Sequence, residues 1–110
     1  MERDKLYSYL GFASKSRNLI TGYNTCLMAM TKGKIKLLII AEDLALNTID
    51  KMESKCKSQG IEYRIFGSAD ELSHRTGKDN KGIFGITDDN FANVICKEID
   101  LIQSKEKEVF

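Results

Sequence analysis

The order of apolar periodicities along this 110-residue chain predicts an α/β fold, a single-domain three-layer α/β/α sandwich with helices on both faces of a four-stranded sheet. Three observations lead there. Helical periods alternate with short apolar runs in the order α-β-α-β-α-β-α-β-α. The run Leu37–Ala41 is apolar at every position, which marks a central strand covered on two sides. Connections are short, without repeats or a low-complexity linker, so residues 1–103 read as one domain and residues 104–110 as a frayed, solvated tail.

Leu6, Leu10 and Ala13 recur at helical spacing, with Tyr9 and Phe12 widening the stripe, and predict an amphipathic helix over about 3–15. Ser16-Arg17-Asn18 breaks it, and Leu19-Ile20-Thr21 has room for a very short strand. Thr21-Gly22 opens a second helix near 23–32, closed by Gly33. Lys34–Ala41 follows as the central strand. A third helix begins at Asn47 or Thr48, buries Ile49, Met52 and Cys56, and stops at Gly60. Ile61, Tyr63 and Ile65 alternate as a strand. Ser68-Ala69-Asp70-Glu71 has the form of a capping box opening a short helix that Gly77 ends. Lys78–Gly82 is a polar loop and Ile83–Thr87 a strand. Asp88 caps a long last helix in which Phe91, Ile95, Ile99 and Ile102 recur on one face.

Composition excludes several function classes. Hydrophobic residues make up 42% and charged residues 30%, a globular rather than a disordered mixture. No apolar run approaches the ~18–20 residues that cross a bilayer. Met1-Glu2-Arg3-Asp4-Lys5 precedes no signal-peptide core, so a cytoplasmic protein outside the membrane is expected. Cys26, Cys56 and Cys96 form no C-x-x-C pair, and His74 is the single histidine, so neither a disulfide framework nor a metal site is expected. Neither G-x-x-x-x-G-K-[ST] nor G-x-G-x-x-G occurs, and no cofactor is expected. Gly82-Ile83-Phe84-Gly85 reads as tight packing or a bulge. His74 reads as an exposed helical residue and Asp88-Asp89 as a helix cap. Glu42-Asp43 stands at the carboxyl edge of the sheet, where α/β proteins place their sites. It lacks the second acidic cluster and the later lysine of a phosphate-accepting receiver, so no enzyme is expected.

Seventeen basic and sixteen acidic residues give a formal +1, but their order is uneven. From Lys5 through Ala41 there is no Asp or Glu and the net charge is +6, whereas residues 42–110 carry −4. Such asymmetry points to an anionic partner for the N-terminal third; the alternative is lysines scattered over solvated faces. The helix opened by Thr21-Gly22 has no acid in its first turn, which leaves its amides and partial positive charge to an outside anion. Lys15 and Arg17 precede it. Asn24 carries an amide that both donates and accepts at a base edge. Phosphate-oriented charge beside a base-reading amide is what RNA recognition requires; the alternative is a plain threonine cap followed by a surface asparagine.

Three runs carry a resemblance. Leu10-Gly11-Phe12-Ala13-Ser14-Lys15-Ser16-Arg17-Asn18-Leu19-Ile20-Thr21-Gly22 looks like L-G-L-A-x-[RK]-A-G-K-L-x-x-G. Gly33-Lys34-Ile35-Lys36-Leu37-Leu38-Ile39-Ile40-Ala41-Glu42-Asp43 is close to G-x-A-K-L-V-x-x-A-x-D. Gly85-Ile86-Thr87-Asp88-Asp89-Asn90-Phe91-Ala92 is the third. In order, across Leu10–Val94, they resemble the L-seven-Ae ribosomal-protein family, particularly its small bacterial YlxQ-type branch. The resemblance implies a mixed sheet between helices and binding to kink-turn RNA, a sharply bent duplex with tandem sheared G·A pairs. It implies that the second helix sets its N-terminus in the widened groove, while a loop before the last strand covers the bulged nucleotides. By position, Gly22 allows close backbone approach, Asn24 meets a guanine edge, and Lys78-Asp79-Asn80-Lys81 is the covering loop. Glu42 falls where a strand end reaches an extruded base, and charge adds Lys15, Arg17 and Lys36 as phosphate contacts.

The best-known binders read G-x-N-E-x-x-K. Here Thr25 stands for the glutamate and Met28 for the lysine. A good base-edge contact is worth about 1–3 kcal/mol, so two weakened contacts lower affinity by up to several powers of ten. The resemblance then implies either weak kink-turn binding or another RNA met by the same surface. The expected function is a non-catalytic, monomeric RNA-binding protein of ribosomal-protein type, cytoplasmic or ribosome-associated, with structured RNA such as ribosomal RNA as partner. The alternative is a protein-interaction module of the same fold with a decayed RNA surface, in which Met28 is an apolar anchor.

Overall fold

The computed structural model describes residues 3–107, which form α1 (Asp4–Lys15), β1 (Leu19–Thr21), α2 (Tyr23–Thr31), β2 (Leu37–Ile40), α3 (Leu46–Gln59), β3 (Tyr63–Ile65), α4 (Ala69–Arg75), β4 (Ile83–Ile86) and α5 (Asp89–Lys107). The alternation read from periodicity is the observed one. Residues 1–2 of the predicted domain and residues 108–110 of the predicted tail lie outside the described residues.

The sheet has the order β1-β4-β2-β3 and is mixed: β4 runs antiparallel to β1 and to β2, and β2 runs parallel to β3. An interior β2 explains its unbroken apolar sequence. The pleat sends Leu37 and Ile39 to a core shared with Leu6 and Leu10 of α1 and with Ile95 and Ile99 of α5. Leu38 and Ile40 face the opposite core, beneath Cys26 and Met30 of α2 and Met52 and Cys56 of α3.

Boundaries differ from expectation where long-range hydrogen bonds intervene. The central strand is shorter than Lys34–Ala41: the Lys34 amide donates to Ala29 O at 3.0 Å and closes α2, and residues 35–36 lead from there into β2. The third helix starts at Leu46 rather than at Asn47 or Thr48, because Ala45 O accepts from Thr48 N (2.9 Å) and Ile49 N (3.1 Å). α5 continues through Lys107, so residues 104–107 of the expected tail are helical; Arg3 donates to the Glu106 carboxylate at 3.1 Å and ties this last turn to the start of α1. The caps of α4 and α5 form as read: Glu71 N donates to Ser68 Oγ at 3.1 Å and Phe91 N to Asp88 Oδ2 at 2.9 Å. The Glu71 carboxylate, however, turns to Arg75 instead of completing the box.

α1 ends in a Schellman turn, with Arg17 N donating to Ser14 O at 3.2 Å and Asn18 N to Ala13 O at 2.8 Å. Arg17 takes the left-handed position at φ 63°, where glycine is the usual residue. An L-residue there costs about 1–2 kcal/mol, and glycine loses ~0.4–1 kcal/mol more chain entropy on folding. Arg17→Gly is therefore expected to stabilise the fold by about 0.5–1 kcal/mol. Urea unfolding checks this as a higher midpoint at unchanged slope; a midpoint at or below the parent's contradicts it.

Candidate nucleic-acid interface

The pairing of β4 with both β1 and β2 gathers three segments at one end of the sheet. These are the start of α2, the residues after β2, and the loop before β4. Gly22 N donates to Ile83 O and Ala41 N to Gly82 O, each at 2.9 Å. Gly22 is the N-cap of α2 at φ 99° and ψ 150°, a conformation essentially restricted to glycine. Thr21 lies within β1, so the threonine-cap alternative is not the one adopted. α2 has no acidic residue in its first turn and no side-chain cap, and both Asn24 and Thr25 are exposed. Its leading amides and positive dipole end therefore face outward.

The loop before β4 is anchored from beneath. Ser73 of α4, 4% exposed, donates from Oγ to Lys81 O and accepts from Lys81 N, both at 2.9 Å. Lys78 N donates to Ser73 O at 2.8 Å, and Asn80 turns the chain at φ 53°, a left-handed conformation asparagine tolerates. So held, Lys81 reaches over the start of α2: a Cβ on Gly22 would lie 3.9 Å from Lys81 Nζ and 3.9 Å from Thr25 Oγ1. Gly82 is where Leu44 packs onto the loop, since a Cβ there would come within 2.5 Å of Leu44 Cδ2.

The two acids after β2 diverge. Glu42 is exposed, its amide donating to Gly67 O at 2.8 Å. Asp43 is structural: its Oδ1 accepts from Ala69 N at 2.9 Å and caps the first turn of α4. Residue-level reading missed two neighbours. Leu46, at the start of α3, is 77% exposed, and its one signal is an apolar residue outside the Ile49–Met52–Cys56 stripe. Ser73 has no sequence signal, because its partner lies eight residues on with no periodic mark.

Gly22, Asn24, Thr25, Glu42, Lys78, Asn80 and Lys81 thus share one end of the sheet. Met28 lies further along α2 and is 62% exposed. Lys15, Arg17 and Lys36 stand at the other end. Leu19 and Leu37 both pair with Ile86, Asn18 O accepts from Thr87 N at 3.0 Å, and Lys36 N donates to Ile86 O at 2.7 Å. Four strand residues span roughly 13 Å, so these cations do not join the cluster at Gly22. Charge in a sequence carries no position.

Among the described residues, no group of three or more His, Cys, Asp or Glu is placed to hold a metal ion. Burial pushes the Cys26 thiol up to about 12 and the Cys56 thiol up to about 11, which keeps both protonated and unreactive near neutral pH. No helix among the described residues is long and apolar enough to cross a membrane.

Residues 4–105 match the family model described as Ribosomal protein L7Ae/L30e/S12e/Gadd45 family. The RNA-binding protein YlxQ of Bacillus subtilis (strain 168) is 27% identical over 94 residues, covering 86% of this chain and 94% of that protein. The protein of the same name from Enterococcus faecium is 31% identical over 91 residues, 82% of this chain and 86% of that one. A solved structure from Bacillus halodurans, described as a protein with unknown function, superposes with a TM-score of 0.84 at 30% identity, over 87% of this chain and 97% of that one. The Giardia lamblia 15.5kD RNA binding protein gives a TM-score of 0.74 at 20% identity over 91% and 86% of the two chains, a likeness of fold.

Proposed function

Because this chain belongs to the ribosomal protein L7Ae/L30e/S12e/Gadd45 family, we propose that it is a non-catalytic, monomeric RNA-binding protein that recognises a kink-turn-like structured RNA through the start of α2. The observation that carries this reading is the open helix terminus at Gly22, with no carboxylate in its first turn and the Lys81 ammonium beside it. The YlxQ relatives, named as RNA-binding proteins, support the same class.

In this reading an RNA phosphate accepts from the first-turn amides and from Lys81, where the dipole and a full charge act together. Asn24 meets a base edge, since its amide both donates and accepts. Lys78 and Asn80 close the loop over unstacked nucleotides. Glu42 and Leu46 border that space, with one group that accepts hydrogen bonds and one that makes apolar contact with a splayed base. Phosphate contacts orient the RNA, and Asn24 distinguishes a kinked from a regular duplex.

Mobility-shift titration against a kink-turn RNA and its straightened control, at two salt concentrations, tests the proposal. Tighter binding to the kinked RNA is expected, with affinity for both falling as salt rises because bound cations release phosphate counterions. Equal affinity for the two RNAs overturns the kink-turn reading. The exposed Met28 favours a second reading, a protein-interaction surface on α2. That reading expects neither RNA to shift at either salt concentration.

A further inference from the structure

Five cations at the far end of the sheet have no part in the site at Gly22. They are Lys15 and Arg17 at the close of α1, Lys32 at the close of α2, and Lys34 and Lys36 on the way into β2. All five are exposed, and none has a carboxylate within 4.0 Å among the described residues. Backbone bonds fix them together: Lys34 N to Ala29 O, Lys36 N to Ile86 O, and Thr87 N to Asn18 O. The nearby acids are turned elsewhere, Asp88 to the cap of α5 and Glu62 to Arg64, and Asp89 makes no ion pair with the five.

Two helix C-termini, of α1 and α2, meet this patch. Each carries about −0.5 charge, which five unit charges far exceed. Arg17 moreover keeps its cation at a left-handed position where glycine is easier. Between the two ends, Ile20, Thr25, Met28, Ala29, Lys32 and Lys34 line a groove of about 270 Å³ beside β1, which is an edge strand. The groove runs along α2, whose nine residues span about 14 Å from the Gly22 site to Lys32.

We propose that this face is a second phosphate-binding surface, taking the backbone of the RNA stem that continues from the segment held at Gly22 and Asn24. It rests on the RNA reading above and extends it from a single contact point to a track along α2. Charge complementarity selects the occupant: five unpaired cations gathered at the far end of α2, two of which (Lys32 and Lys34) line the groove, match a phosphate backbone.

The test uses the full chain, the variant Lys32→Gln/Lys34→Gln, and two RNAs, one kinked with short stems and one with the same kink and an extended stem. Both lysines are exposed, so the variant folds as the parent does. It is expected to lose about tenfold in affinity for the extended RNA, with a salt slope shallower by about one to two, and to bind the short RNA as the parent does. Equal losses on both RNAs, or none on either, overturn the second surface while leaving the first intact. Failure of the parent to bind either RNA overturns the RNA reading itself, and this surface with it.

Discussion

Asn24→Ala is expected to remove most of the preference for a kinked over a straight duplex, lowering affinity for the kinked RNA by about ten- to a hundredfold. The magnitude follows from one bidentate base-edge contact, worth about 1–3 kcal/mol. The variant isolates that contact. Asn24 is exposed in the first turn of α2, and its amide makes no hydrogen bond within the described residues, so nothing in the fold is lost with it. Alanine is also the better helix former. Affinity for the straight duplex, which depends on phosphate contacts, should be unchanged. Titrating parent and variant against both RNAs reads the ratio directly. A variant that keeps the parent's ratio shows that Asn24 reads no base.

Thr25→Glu combined with Met28→Lys is expected to strengthen kink-turn binding by about thirtyfold to ten-thousandfold, since each substitution supplies a contact worth about 1–3 kcal/mol. Both positions are exposed, and three residues apart on a helix they share a face. A carboxylate in the first turn is also favoured by the dipole. One competing effect needs weighing: Lys81 Nζ lies close enough to Thr25 to pair with a glutamate placed there. Exposed pairs of that kind contribute about 0–1 kcal/mol, less than the base contact they would compete with. The new lysine should also steepen the salt dependence by about one. Binding measured at two salt concentrations gives affinity and slope together. No gain in affinity would mean that α2 does not meet the RNA as the G-x-N-E-x-x-K pattern implies.

Much of the fold was legible because burial is periodic. Leu6, Leu10 and Ala13 announced α1, and the apolar run at Leu37–Ile40 announced a strand with a core on each face. Ser68 and Asp88 marked helix starts because capping is a local bond, made within three residues. Boundaries were less legible wherever a distant partner set them. The Lys34 amide bonds back to α2, and Arg3 reaches the last turn of α5 across 103 residues of chain. The candidate site divides in the same way. An α2 start without acids and the asparagine within it are sequence facts. Ser73 beneath the loop, and Asp43 turned to α4, are not.

By itself the sequence determined the alternation of elements, most of the residues each buries (Phe12, read into the α1 stripe, is exposed), the family pattern around Gly22 and Asn24, and an acid-free stretch from Lys5 to Ala41. Those properties depend on neighbours within a few positions, where side-chain spacing is a direct record of what faces the core. Only the tertiary structure decided which of the cations stand together. The register of β4 between β1 and β2 places Lys81 over Gly22 and moves Lys15, Arg17 and Lys36 to the opposite end of the sheet. Strand pairing is a contact between residues tens of positions apart, and a count of charges along the chain holds no trace of it.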